Sequence, residues 1–262
     1  SSTTDLLTDS GYKTSELGFS LGTKFEQFQN IFLSPELDFL IEDLETSSKA
    51  SNTLKKQEGS YTDLYFNYSI NQDLRDKRFR TESGYQTFFT QELPIISDNS
   101  EFANAFEIAA FKKLSTRSDT VGKISFYAKT ITGLSDDVRI SKRLNVPSSK
   151  LRGFEKSKVG PVDNKDFVGG NHVTALNLSA TLPNIVEGLD NLDVGVFLDA
   201  ANVWGVDYDS SLDDRSTIRT STGVAFNLLT PIGPLSFSFA NALTKASSDK
   251  TETFRFRLGT QF

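Results

Sequence analysis

The sequence predicts an all-β protein, an antiparallel transmembrane β-barrel. Three observations lead to this prediction. Apolar and polar side chains alternate along most of the chain, long polar inserts and short turns separate the alternating segments, and no apolar run is long enough for a membrane-spanning helix. A barrel strand presents only every second side chain to lipid, because its other face lines a polar interior. The low mean hydropathy of -0.32 is therefore compatible with insertion in a membrane.

The clearest alternation lies in the last residues of the chain. One face carries Phe254, Phe256, Leu258 and Phe262, and the opposite face carries Arg255, Arg257 and Gly259. Nine residues rise about 30 Å along a strand, which is enough to cross a lipid-facing band after barrel tilt. We therefore expect the final strand to turn its apolar face to lipid and both arginines to the lumen.

The same period of two recurs upstream and predicts about eleven strands in total. Besides the final strand, they lie near residues 12–26, 29–45, 61–73, 84–95, 103–114, 120–131, 169–183, 192–204, 223–228 and 235–240. The lipid-facing side of the strand near 84–95 stays open, because Phe88 and Phe89 lie on opposite faces.

The connections between these strands differ strongly in length. Long polar inserts occupy residues 46–60, 132–168 and 207–217, whereas residues 230–234 form a tight turn with two prolines and a glycine. Short turns at one rim and long loops at the other are typical of transmembrane barrels.

Composition excludes several classes of function. The net charge of -6 argues against a general nucleic-acid binder. The chain has no cysteine, which excludes disulfides and cysteine-based metal sites, and its single histidine, His172, makes histidine metal sites or Ser-His-Asp hydrolysis poor candidates.

Motifs in the second half of the chain carry a family resemblance. The segment Leu151-Arg152-Gly153-Phe154, called here the tetrad, resembles the signature loop of BamA-type outer membrane assembly proteins. This bacterial surface antigen family also includes TamA and the two-partner secretion transporters. Similar motifs follow in family order at Val168-Gly169-Gly170-Asn171, at Phe197-Leu198-Asp199-Ala200, at Thr230-Pro231-Ile232-Gly233-Pro234 and in the closing strand. Upstream, residues 73–84 resemble a family hairpin, with Arg80 where proline is usual.

The resemblance implies that residues 132–168 form an extracellular loop that folds back into the barrel lumen. An arginine in a restricted lumen needs a carboxylate to offset its lost hydration. Alternation points Asp199 inward, so we expect Asp199 to pair with Arg152. In relatives a glutamate of the intervening strand also faces this arginine, and we place Ser179 at that position.

The resemblance also implies a barrel of sixteen strands preceded by periplasmic POTRA modules. About eleven strands and an opening Ser1-Ser2-Thr3-Thr4 without a signal segment lead us to expect that residues 1–262 are a C-terminal barrel fragment with an internal or processed start. We expect a curved open sheet with gaps in pairing at residues 12–26 and 253–262.

The function implied by the resemblance is the folding and insertion of β-barrel proteins into the bacterial outer membrane, without enzymatic activity and without a cofactor. The expected partners are nascent outer membrane β-barrel proteins, outer membrane lipid and accessory lipoproteins, with no nucleic acid. The final strand, with Phe254, Phe256, Leu258, Gly259 and Phe262, would act as a gate whose edge templates an incoming strand. The alternatives are a TamA-like or two-partner secretion transporter, a passive porin and a soluble β-sandwich.

Overall fold

The computed structural model describes residues 2–7, 11–115, 119–183, 188–189, 191–212, 217–230 and 233–258. These residues form fifteen strands, one short α-helix, α1 (Asn52–Lys55), and two 3-10 helices of three residues each, Ile140–Lys142 and Ser210–Leu212. No helix among them is long and apolar enough to cross a membrane. The strands are β1 (Ser2–Leu7), β2 (Tyr12–Gly22), β3 (Phe25–Phe28), β4 (Ile31–Thr46), β5 (Gly59–Asp73), β6 (Gly84–Ser97), β7 (Glu101–Lys113), β8 (Val121–Gly133), β9 (Val162–Asp163), β10 (Asp166–Phe167), β11 (His172–Pro183), β12 (Leu192–Trp204), β13 (Arg219–Thr230), β14 (Gly233–Thr244) and β15 (Phe254–Leu258).

Thirteen of these strands form one antiparallel sheet. Twelve follow one another in the order β1-β2-β4-β5-β6-β7-β8-β11-β12-β13-β14-β15, and β3 pairs with β4 beside this path. Strands β9 and β10 form a separate small hairpin. Within the described ranges β1 and β15 lie at the two edges and do not pair with each other, so the sheet is open, as expected.

The sequence pattern predicted most of these strands but missed the short hairpin of β9 and β10 and the first strand. Strand β1 has the sequence STTDLL, whose polar start carries no alternation of apolar residues. The strand expected near 12–26 is split into β2 and β3. The expectation that residues 12–26 form an edge is therefore wrong, because β2 pairs with β1 on one side and with β4 on the other.

The long connections gather at one rim of the sheet. Consecutive strands run antiparallel, so residues 47–58, 134–171 and 205–218 all leave from the same rim, called here the loop rim. The connection 74–83 lies at the opposite rim, called here the turn rim, where β13 ends and β14 begins. This arrangement agrees with the alternation of long loops and short turns in the sequence.

The two faces of the sheet differ in polarity and exposure. On β12 the side chains of Val196 and Leu198 are 52% and 42% exposed on the outer face, whereas Phe197 is buried on the inner face. The strand pairing also shows on which face of the sheet each of the two phenylalanines of β6 lies. Phe89 lies between Ile70 and Phe106 in the outer apolar layer, and Phe88 lies on the inner face opposite Asn71 and Glu107.

The phase of β15 agrees with the sequence pattern. Phe254, Phe256 and Leu258 are about half exposed on the outer face and pair with Phe239, Phe237 and Leu235 of β14. Arg255 points inward and contacts the backbone of Ser148 and Phe154. Gly259 and Phe262, which we also assigned to the final strand, lie outside the described residues.

This phase predicts the result of a lipid-quenching experiment. The chain contains no cysteine, so single-cysteine variants at Phe256 and Arg257 can carry a fluorophore at one defined place. Lipid-borne quenchers should quench the label at position 256 more strongly than the label at 257. A slip of one residue would turn two arginines into hydrocarbon, at about 2–4 kcal/mol each near the midplane. A label at the exposed outer residue Val196 is the positive control, and stronger quenching at 257 would refute the assignment.

Candidate functional site

The connection between β8 and β11, residues 134–171, lies against the inner face of the sheet and is called here the lumen loop. Its Arg139 contacts Glu42 on β4, the third strand of the sheet. Its Phe154 accepts a hydrogen bond from Arg255 on β15, the twelfth strand. One loop can reach both strands only if the sheet curls around it, so the lumen loop occupies the interior of the curved sheet.

An apolar layer packs this loop onto the strands. Burial of these side chains removes apolar surface from water and stabilises the loop within the sheet. The loop contributes Val138, Leu144, Val146, Leu151, Phe154 and Val159, and the strands contribute Ala103, Ile131, Val173, Ala175, Ala201 and Val203.

The tetrad lies deep in this layer. Leu151 and Phe154 are buried, and Gly153 has a φ of +85°, which is in the left-handed region that favours glycine. A Cβ atom at Gly153 would lie 3.1 Å from the Cβ of Ala240 and 3.3 Å from that of Ser221. The glycine therefore lets the loop backbone approach the wall formed by β13 and β14.

Arg152 and Asp199 form the ion pair that the sequence predicts. The guanidinium donates from Nε to Oδ2 at 2.8 Å and from Nη2 to Oδ1 at 2.7 Å, and the Arg152 backbone N–H donates to Oδ2 at 3.1 Å. The guanidinium also lies 3.4 Å from the centre of the Phe197 ring. Asp199 is fully buried, so its negative charge depends on these donors. The contribution of this pair to function stays a prediction.

The intervening strand contributes a different residue from the one we expected. Asn177, rather than Ser179, lies directly opposite Asp199. Its side-chain amide donates to Asp199 Oδ1 at 2.8 Å and to the carbonyl of Lys150 at 2.7 Å. Ser179 lies opposite Phe197, one inward position nearer the turn rim. Asn177 thus supplies the contact of the intervening strand with Asp199, whereas the expectation that Ser179 occupies the position facing Arg152 stays a prediction.

A larger charge cluster surrounds Arg139 of the lumen loop. Its Nη2 lies 2.6 Å from Asp63 and 3.7 Å from Glu101, and its Nη1 lies 3.1 Å from Glu42. The four charged side chains are almost completely buried, and the guanidinium stacks 4.1 Å from the centre of the Tyr61 ring. The carboxylates come from β4, β5 and β7, so one arginine joins the loop to this wall of the sheet.

Sequence reasoning missed this cluster. Asp136 and Asp137 precede Arg139, so the segment looks like a solvated loop tip. A signal was present in the strands, because alternation places Glu42 and Asp63 on the inner face near the loop rim. Nothing in the sequence shows which cation would neutralise them.

Arg143 ties the lumen loop to the neighbouring loop 205–218. Its guanidinium contacts Asp207 and donates to the Val138 carbonyl and to Asn171 Oδ1, both at 3.0 Å. Partial burial by itself raises the pKa of Asp207, but the Val138 N–H and the charge of Arg143 outweigh it and lower that pKa below its ordinary value. The carboxylate is therefore ionised at neutral pH and holds the two loops together at the loop rim.

Arg80, in the β5–β6 connection at the turn rim, contacts Asp193 at the start of β12, with Nη2 and Oδ1 2.9 Å apart. Its φ of +50° is one that a proline ring, fixed near -65°, cannot adopt. The hairpin at residues 73–84 therefore departs in backbone from the proline-containing form of the resemblance. Because β12 lies four strands away from β6 in the sheet, the contact between Arg80 and Asp193 links this hairpin to the opposite inner wall.

Comparison with known proteins identifies similar chains. The family described as Omp85 superfamily domain matches residues 3–262. The chain is 31% identical over 141 residues to the outer membrane protein assembly factor BamA of Neisseria meningitidis serogroup B, covering 43% of this chain and 17% of the relative. It is 24% identical over 218 residues to BamA of Neorickettsia risticii, covering 81% of this chain and 29% of the relative. The chain thus spans less than a third of the length of either relative.

Solved structures show the same fold. The crystal structure of BamA from Haemophilus ducreyi lacking POTRA domains 1–3 matches with a TM-score of 0.83 and 20% identity, over 97% of this chain and 56% of that one. CdiB from Acinetobacter baumannii matches with a TM-score of 0.54 and 9% identity, over 94% of this chain and 42% of that one. At these identities the likeness establishes the fold and not the activity.

Proposed function

The chain belongs to the Omp85 superfamily, and from this premise we propose that it is the membrane-embedded part of a factor that folds and inserts other β-barrel proteins. Its own β-barrel is integral to the bacterial outer membrane. Its substrates would be nascent outer membrane β-barrel proteins, and its surroundings would be outer membrane lipid and accessory lipoproteins. Its role would be non-enzymatic, because templated strand pairing needs no covalent chemistry.

The observation that carries this proposal is the early end of the pairing between β14 and β15 at the loop rim. Among the described residues β15 pairs with β14 from Leu235–Leu258 to Phe239–Phe254, and the bond from Ala240 N–H to the Thr253 carbonyl ends this ladder, although β14 continues to Thr244. The last residues of β14 therefore have no partner on β15, which is itself an edge of the described sheet. Backbone N–H and C=O groups at such an edge can pair with an incoming strand by β-augmentation.

The outer surface beside β15 supports the same proposal. On β4 alternate apolar residues run from Leu33 to Ile41, about 26 Å along the strand. On β14 the uninterrupted run extends only from Leu235 to Phe239, about 13 Å, because the exposed Asn241 separates it from the exposed Leu243. A shorter uninterrupted apolar stretch locally thins the adjacent bilayer, which lowers the barrier to inserting a new strand there.

The lumen loop argues against a passive porin. Buried ion pairs hold it to two opposite walls, through Arg139 on one side and Arg152 on the other. A loop anchored in this way obstructs the lumen and hinders steady ion flow. A polypeptide transporter is the second candidate, supported by the fold that the chain shares with CdiB.

The proposal is tested by reconstitution. The full-length protein that contains this chain is placed in vesicles of phosphatidylethanolamine and phosphatidylglycerol, and a urea-unfolded outer membrane barrel is added. Folding of this client is measured by protease protection and heat modifiability. We expect it to be about tenfold faster than in empty vesicles, which corresponds to lowering the insertion barrier by about 1.4 kcal/mol. Steady ion conductance without faster folding would indicate a porin. Passage of a polypeptide into the vesicle without insertion would indicate a transporter.

A further inference from the structure

The chain that leads into β15 pairs with the tetrad region instead of with β14. These residues, 249–252, are called here the lead segment. The N–H of Glu252 donates to the Gly153 carbonyl at 3.2 Å, and Phe154 forms an antiparallel bridge with Thr251. Two further backbone bonds join the same stretches: Glu155 N–H to Lys250 carbonyl and Lys250 N–H to Lys158 carbonyl, both 3.0 Å. The lumen loop thus forms a short ladder with the entry to the last strand.

Arg255 of β15 reinforces this ladder with a charged side chain. Its guanidinium donates to the carbonyls of Ser148 and Phe154, which lie on either side of Arg152 in the loop, and it contacts the carboxylate of Glu252. Only 10% of the side chain is exposed. Hydrogen bonds from a charged donor in such a place are stronger than neutral ones, so Arg255 holds the loop backbone firmly from the strand side.

The lead segment is also anchored behind the loop. Asp249 is buried and accepts bonds from Arg219 of β13 at 2.9 and 3.0 Å. It also accepts the backbone N–H of Gly160 in the lumen loop, at 3.3 Å. The lead segment therefore lies between the loop and the wall of the sheet and is bonded to both.

We propose that Arg255 is a positioning residue that couples the lumen loop to β15, so that the loop and this edge strand move as one unit. This proposal rests on the assembly function proposed above and adds the residue that would connect the loop to the edge strand. Pairing of β15 with β14 ends at the bond from Ala240 N–H to the Thr253 carbonyl, 2.8 Å. Every residue before Thr253 in the lead segment is held by the loop or by β13. A displacement of β15 away from β14 must therefore break the contacts of Arg255 or carry the loop with it.

The chain offers a matched control for this proposal. Arg257 lies two residues further along the same inward face, opposite Ser236, and the described residues supply no hydrogen bond to its side chain. Removing either arginine deletes the same charge from the same strand. Only removal of Arg255 deletes the contacts with the loop.

The first test is hydrogen exchange on the full-length protein in vesicles. In Arg255→Ala, the amides of Glu155, Lys250 and Glu252 should exchange about tenfold faster or more, the effect of losing charged hydrogen bonds. Amides in the β13–β14 ladder should keep their protection. Arg257→Ala should change neither set, and Arg255→Lys, which keeps a charged donor, should restore most of the protection.

The proposal is overturned if Arg255→Ala leaves these three amides unchanged, or if Arg257→Ala exposes them equally. Faster exchange throughout β13 and β14 would overturn it too, because it would show a general loss of stability. In the reconstituted assay, client folding should slow about tenfold in Arg255→Ala and little in Arg255→Lys. If the unaltered protein folds no client, the assembly function fails, whereas the exchange data still decide whether loop and strand are coupled.

Discussion

Replacing Arg139 with alanine should lower the free energy of unfolding by about 3–5 kcal/mol. The arginine faces the buried carboxylates of Glu42, Asp63 and Glu101. Its removal takes this counter-ion from the negative charges of β4, β5 and β7, in a place that water does not reach. The first part of the lumen loop should then leave the wall of the sheet.

The measurement is chemical unfolding of the protein in detergent or lipid, together with limited proteolysis of residues 134–150. Lys156→Ala is the control, because this lysine belongs to the same loop but is exposed. Adding Glu42→Gln to the Arg139 variant should recover part of the lost stability, because one uncompensated charge disappears. Unchanged stability in Arg139→Ala would show that the cluster does not hold the loop.

Replacing Arg152 with alanine should have a comparable effect at the opposite wall, about 3–5 kcal/mol for breaking a buried pair. Asp199 would keep only the Asn177 amide and the backbone N–H of residue 152 as donors. The tetrad should then loosen, and because the tetrad is bonded to the lead segment, client assembly in the reconstituted system should fall as well.

A double variant separates the charge from the shape of the site. Asp199→Asn removes the buried charge at nearly constant volume, so Arg152→Ala with Asp199→Asn should be more stable than Arg152→Ala alone. The effect is measured by the protease sensitivity of residues 134–171 and by thermal unfolding. Purely additive losses in the two single variants would indicate that the pair contributes no coupling energy.

Much of the fold could be read from the sequence because a transmembrane strand contacts two different media. Side chains of β12 and β15 must alternate between lipid and lumen, and a register slip carries a large penalty, so their phase is visible in the order of residues alone. The pairing of Arg152 with Asp199 followed from this phase and from the resemblance of the tetrad to a known motif.

The other contacts of the site depend on the curl of the sheet, which the sequence alone does not reveal. Glu42, Asp63 and Glu101 lie far from Arg139 in sequence, and each alone resembles a solvated surface charge; only the curl of the sheet around the lumen loop brings them within 4 Å of one guanidinium. Likewise Asn177 faces Asp199 because of the register between β11 and β12, and Arg255 reaches the tetrad because the lead segment leaves β14. Alternation specifies which face a residue occupies. Which residues meet across that face depends on register, curl and loop path, and these are properties of the assembled tertiary structure.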